Sequence, residues 1–324
     1  MKLLRTFAQR LLPLCALTAL TVSAQTYPTK TIEWVVPYPA GGGTDVVARV
    51  LAEQMGKSLG QSLIINNKPG AATNIGAEYV ARAKPDGYTV LSADTATLAA
   101  NPALYSRLSY SAEKDFAPAG LMARFPMILV VNPAIPVHNL KEFTAWAQKQ
   151  ANPVNYATPG AGSPHHLATE LFRQQAGVKL THVPYRGAAP AVQDVVGGQV
   201  PFMFVDTASG YSFITTGKLR PIGVASPKRV KNFEDIPTLT EQGLKGFEAY
   251  AWQGLVVPAA TPPAVITKLN QALVQALNST PVRARFQTLG LEAIPSTPQD
   301  MAAYAKTERE KWGQVIRAGG IKLD

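Results

Sequence analysis

The stretch "PYPAGGGTDVVAR", residues 37–49, decides the reading of the fold. A hydrophobic run from Ile32 to Val36 ends in Pro-Tyr-Pro. Three glycines, Thr44 and Asp45 follow, and the sequence then takes on helical spacing. Strand, glycine-rich turn and helix start together make a place where backbone amides and the positive end of a helix dipole can hold an anion. Gly41, Gly42 and Gly43 let the backbone approach a ligand closely, and the Thr44 hydroxyl can add a bond. Asp45 carries the wrong sign for an anionic ligand and is expected to cap the helix instead. The plainer alternative is a tight β-α turn that binds nothing.

A nucleotide is the first anion to test, and the turn fails the test. A dinucleotide fingerprint placed on Gly41 and Gly43 needs a third glycine where Val46 stands, and an acidic residue for the ribose where Ile65 and Asn66 stand. No Gly-Lys-Ser/Thr follows the turn, so it is not a phosphate loop either. A smaller anion such as a carboxylate fits.

Outward from this turn, short apolar strands alternate with helical stretches. Residues 31–38 read as a strand, and Asp45 to Leu59 as a helix with Val46, Val50, Leu51 and Met55 on one face. Strand 62–70, helix 74–84 stopped by "PDG" (85–87), and strand 88–94 follow. This β-α-β-α-β order predicts a parallel, doubly wound α/β sheet with ligands beyond the C-terminal strand ends. The grammar restarts with strands at 127–133 and 154–160, a helix from Pro164 to Gln175, strand 179–185, a helix from Pro190 to Val196, and strands 201–206 and 219–226. Residues 250–263 read as a strand returning the chain to the first half. Helical stretches at Pro263–Leu277, Pro281–Leu289 and Pro298–Ala318 close the sequence.

The N-terminus stands apart. Lys2, Arg5 and Arg10 precede the apolar "LLPLCALTALTV" (11–22), and Val22 and Ala24 are small residues just before Gln25. Residues 1–24 therefore read as a cleavable secretory signal. The single cysteine, Cys15, falls inside it. The mature chain is then expected to lack disulfides, thiolate catalysis and cysteine metal sites. Removing Lys2, Arg5 and Arg10 takes the formal charge from +10 to +7, with the positive charges scattered rather than blocked. A basic surface that collects anionic solutes fits this better than a nucleic-acid partner.

A second glycine-rich turn lies in the other half, "YATPGAGSPHHLATELF" (156–172). It offers Thr158, Gly160, Gly162 and Ser163, with Pro164 at a first helical position. It lacks the Gly-x-Ser-x-Gly of a nucleophile elbow, and the adjacent His165 and His166 face different directions on a helix, a poor metal pair. Tyr185, Arg186 and Gly187 precede a further helix, and Asp206 ends a strand. Arg186 can pair with a carboxylate or with a surface acid. Asp206 can accept bonds from a ligand amine or hydroxyl, or anchor a neighbouring loop. No nucleophile stands with a base, and no carboxylate pair has catalytic spacing. Two such turns in two halves suggest a cleft gripping a small anion, without a cofactor, metal or catalytic residue.

The signal segment, "YPTKTIEWVVPYPAGGGTDVVAR", "NKPGAATNIGAEYVARAKPDGYT" and "YATPGAGSPHHLATELF" together resemble the receptors of tripartite tricarboxylate transporters, the Bug-type solute receptors; "THVPYRG" and "VPAATPP" extend the match. The resemblance implies a type II-like periplasmic-binding-protein fold, with two doubly wound α/β domains closing on an organic acid and delivery to a membrane permease. It implies that loop amides and hydroxyls, with bridging waters, hold one ligand carboxylate. Here those positions are Tyr38, Ala40 to Thr44 and Thr158 to Ser163, with Tyr185 and Asp206 as further candidates. The expected domains are 25–125 plus 254–324, and 126–253, with crossings near 124–127 and 250–254. The ligand remains open among dicarboxylates, tricarboxylates, amino acids and aromatic carboxylates. A ligand sensor for a signalling partner and a secreted hydrolase are the alternatives.

Overall fold

The computed structural model describes residues 27–324, so the leader segment and Cys15 lie outside the described residues. The first half opens with β1 (Ile32–Val36), α1 (Gly43–Leu59), β2 (Leu63–Asn67), α2 (Asn74–Ala81) and β3 (Thr89–Asp94). Ile32, Trp34 and Val36 of β1 pack into one core cluster and Val35 into another, so the strand is covered on both faces. That is why it reads as a largely apolar run, interrupted only by the half-buried Glu33. Helix α1 turns Val47, Ala48, Leu51, Ala52 and Met55 inward. Val46 and Val50, expected on its apolar face, are only half-buried. Gly60 ends α1 at φ 69°, its N–H bonded to Gly56 O.

A π-helical turn, Ala96–Ala100, leads into α3 (Asn101–Leu104), and then comes β4 (Phe116–Val131), 16 residues long. The second half contains α4 (Leu140–Gln148), β5 (Val154–Thr158), α5 (Pro164–Ala176), β6 (Leu180–Pro184), α6 (Ala188–Val196), β7 (Phe202–Asp206), α7 (Thr207–Thr215) and β8 (Arg220–Val224). The chain returns along β9 (Tyr250–Pro258) and finishes with α8 (Pro263–Asn278), α9 (Thr280–Thr288), the short β10 (Glu292–Ala293) and α10 (Pro298–Gly319).

The strand order is β2-β1-β3-β9-β4-β7-β5-β6, with β8 and β10 also on β4. The expected parallel pairing holds for β2-β1-β3 and for β6-β5-β7. The sheet is nevertheless mixed, because β9 runs antiparallel to β3 and β4, and β4 antiparallel to β7 and β8. Strand β4 runs through both halves: it pairs with β9 as far as Pro126↔Tyr250 and with β7 from Met127↔Asp206. The return passes through Ala249, whose N–H bonds Ala225 O.

Helix α10 touches both halves. Its Glu308 accepts the indole N–H of Trp252 (3.0 Å) and of Trp312 (2.8 Å), and its Val315 carbonyl accepts from Gln174 on α5.

Candidate ligand-binding site

The turn after β1 is braced by a carboxylate. Asp45 is buried, and its Oδ2 accepts from the Gly41 amide and from Arg49 Nε, both at 2.9 Å, while Oδ1 accepts from Asn67 Nδ2 at 2.9 Å. Burial pushes this carboxyl up, but the bonds from Arg49, Gly41 and Asn67 outweigh it and hold the group below its usual value. Asp45 therefore reaches back to the turn rather than capping from in front; Gly42 is the N-cap and has no side chain to cap with. The Gly41 amide, expected to face a ligand, is committed to Asp45. The amides of Gly42, Gly43 and Thr44 make no bond among the described residues. Ala40 and Gly41 are exposed, and Gly42, Gly43 and Thr44 half-buried. The Tyr38 hydroxyl donates to Asp94 Oδ2 at 2.5 Å, and Asp94 Oδ1 accepts from the amide and hydroxyl of Thr97. Burial pushes the Asp94 carboxyl up despite these bonds.

The turn after β5 is braced by imidazoles. The Gly162 amide donates to His166 Nδ1 at 3.1 Å, and Thr158 Oγ1 lies 2.6 Å from His182 Nε2 while also bonding the Gly160 amide. The two rings stack with centroids 4.0 Å apart and planes 9° apart, and Tyr156 stacks on His182 at 5.1 Å. Burial lowers His166 to about 4; burial and then the neighbouring His166 lower His182 to about 3. Both rings are neutral at neutral pH, as an acceptor for the Gly162 amide has to be. Ser163 caps α5 by accepting from the His166 amide. The amides of Ala161 and His165 make no bond among the described residues. Gly162 stands at φ 74°.

Each turn lies against residues of the other half. A Cβ on Gly43 would stand 3.0 Å from Phe125 Cε1 and 3.7 Å from Asp206 Oδ1, and one on Gly162 would stand 2.8 Å from Leu104 and 3.9 Å from Asn101 Oδ1. Asp206 caps α7 through Ser209 and holds His165 Nε2 at 3.1 Å. Burial pushes its carboxyl up, but the bonds from His165 and Ser209 hold it below the usual range. His165 and His166 diverge, one to Asp206 and the other to the Gly162 amide. Tyr185 is half-buried, with its hydroxyl on Asp194 at 2.7 Å, and Arg186 is exposed.

Sequence reasoning singled out neither Asn101 and Phe125, which stand beside the glycine turns, nor Gln253 on β9, nor the bond between His165 and Asp206. A glutamine inside the apolar "YAWQGLVVP" was a usable signal; Asn101 in "LAANPAL" had none. An open groove of about 1100 Å³ lies instead on the outer edge, between β2 and α2, and includes the exposed Ile64, Ile75 and Tyr79. Lys30, Glu33, Arg82 and Asp86 are also in its lining, a mixed rim without a glycine turn.

The sequence model of the family described as "Tripartite tricarboxylate transporter family receptor" matches residues 47–321. The chain belongs to this family. Among solved structures, the periplasmic binding protein BugD is 36% identical with a TM-score of 0.85, covering 92% of this chain and 100% of that one. R. palustris Rpa4515 with adipate is 32% identical, with a TM-score of 0.87 and coverage of 91% and 99%. MatC from Rhodopseudomonas palustris with bound malate is 34% identical, with a TM-score of 0.84 and coverage of 90% and 100%. The fold is therefore that of the periplasmic binding proteins, and the family is one of carboxylate-binding solute receptors, not enzymes. No helix among the described residues is long and apolar enough to cross a membrane.

Proposed function

We propose that this chain is an extracytoplasmic receptor, exported with cleavage after Ala24, that holds a small organic carboxylate between its halves and delivers it to a tripartite tricarboxylate-type membrane transporter. One observation carries the reading: two strand-glycine-helix turns, each with unbonded amides at a helix N-terminus, lie on opposite sides of one boundary. The donors for the carboxylate are the amides of Gly42, Gly43 and Thr44 on one side and of Ala161 and His165 on the other. The Thr44 and Ser163 hydroxyls assist them. Malate and adipate in the related structures support a carboxylate, and the signal-like leader supports export. Residues 25–125 plus 254–324 act as one lobe and 126–253 as the other. They hinge where β4 changes partner at Pro126/Met127 and where the chain returns near Tyr250.

A thermal-shift screen tests this, because a ligand that binds only the folded protein raises its melting temperature. Organic acids should stabilise, while their methyl esters and amides should not. Stabilisation by an ester equal to that by its acid removes the reading.

A further inference from the structure

Three side chains at or beside the boundary hold hydrogen-bonding atoms that are buried and unpartnered: Asn101 Oδ1, His165 Nδ1 and both amide atoms of Gln253. These residues are 0%, 7% and 1% exposed. Buried polar atoms without partners are rare and costly, so a group of them points to something that pairs with them. Asn101 Oδ1 lies 3.9 Å from where a Cβ on Gly162 would stand, and His165 follows that glycine by three positions. Gln253 pairs in register with Asp94, the acceptor of the Tyr38 hydroxyl.

The bonded half of each group fixes the character of the free half. Asn101 Nδ2 donates to Ala72 O and Asn74 Oδ1, both at 2.7 Å, so the oxygen left over is an acceptor. Asp206 accepts from the Ser209 amide at Oδ1, and its carboxylate can only accept from His165 Nε2 at Oδ2. Nε2 therefore carries a proton, and in the neutral tautomer Nδ1 presents a lone pair. Gln253 supplies one acceptor and one donor whichever way its amide is turned. The unpartnered atoms thus comprise acceptors on all three residues and a single donor, whereas the two turns present donors. Asp206, an anionic acceptor, adds to the same side.

We infer that the ligand is a carboxylic acid that also carries a hydroxyl or amino group, with its carboxylate on the turns and its O–H or N–H donated to His165 and Asn101. This rests on the carboxylate reading above and narrows it. An unsubstituted acid leaves the buried acceptors unpaired and is disfavoured.

Calorimetric titration with matched sets tests it: succinate, malate and aspartate; glutarate, 2-hydroxyglutarate and glutamate; benzoate and 4-hydroxybenzoate. In at least one set the hydroxy or amino member should bind about tenfold or more tighter than the unsubstituted acid. His165→Leu should bring that ratio towards one. Because this change leaves Asp206 without its partner, Gln253→Met serves as the second variant: it should raise the ligand-free melting temperature, by removing an unpaired amide, and weaken the substituted acid. Unsubstituted acids binding as tightly as their partners, or an unchanged ratio in His165→Leu with unchanged affinity in Gln253→Met, overturns the inference alone. Binding by no acid in any set removes the carboxylate reading and the inference with it.

Discussion

The turn after β1 and the turn after β5 have the same outline, yet opposite chemistry holds them in shape. In the first, the Gly41 amide is tied to the Asp45 carboxylate, itself pinned by Arg49 and Asn67. In the second, the Gly162 amide is tied to a neutral imidazole, and a second imidazole stacked on it holds Thr158. The first brace uses one amide of its glycine stretch and the second uses two, those of Gly160 and Gly162, and each leaves amides near the following helix start unbonded. A glycine-rich turn therefore does not leave all its amides free: some shape the loop, and those at the helix start remain as unbonded donors.

The largest expected effect breaks the first turn without disturbing the fold. A Cβ on Gly42 would meet only Pro39 O, at 3.8 Å, and φ there is −77°, which any residue adopts. Gly42→Val should leave the melting temperature nearly unchanged and block the approach of a carboxylate. Loss of two charge-assisted bonds, about 1.5–3 kcal/mol each, weakens binding more than about a hundredfold by calorimetry. Unchanged affinity would take the ligand away from this turn.

The second effect separates the two braces by pH. Unfolded, His166 takes up a proton near 6.5; folded, it does so only near about 4. Its contribution to stability is complete above 6.5 and is lost as pH falls from 6.5 to about 4, on the order of 3 kcal/mol in all. Asp45 behaves differently: its contribution is complete above its usual value of 3.8 and is lost only as pH falls through its lowered folded value. Thermal unfolding between pH 7 and 4 should therefore show a slope that His166→Leu reduces, while Asp45→Asn leaves it in place. A slope that survives His166→Leu intact would contradict the imidazole brace.

The smallest effect concerns Ser163, whose oxygen caps α5. Ser163→Ala should cost about 1 kcal/mol, lowering the melting temperature by about 2–4 °C.

The parallel trios β2-β1-β3 and β6-β5-β7 were legible because each strand is a short stretch between helical segments, although the edge strands β2 and β6 are mostly half-buried or exposed. The first part of β4 was not legible: Pro118, Gly120 and Pro126 break its run, and its partner β9 lies far away in sequence. Helix α4 also went unread, although Asn139 caps it by accepting from the Glu142 amide. In the site, the glycines and Ser163 stood out by composition. The Gly41–Asp45 and Gly162–His166 bonds did not, since a turn's sequence does not say which amide folds back on its own helix. Asn101 and Gln253 escaped because their unpaired atoms exist only once distant strands and loops are packed together.

Amide hydrogen exchange, measured with and without a saturating carboxylate identified by the thermal screen, tests most directly that both turns hold one ligand. The account predicts slowed exchange at Gly42, Gly43 and Thr44 and, together with them, at Ala161 and His165. The already bonded amides of Gly41 and Gly162 should change little. Protection confined to one turn, or to neither, would contradict it.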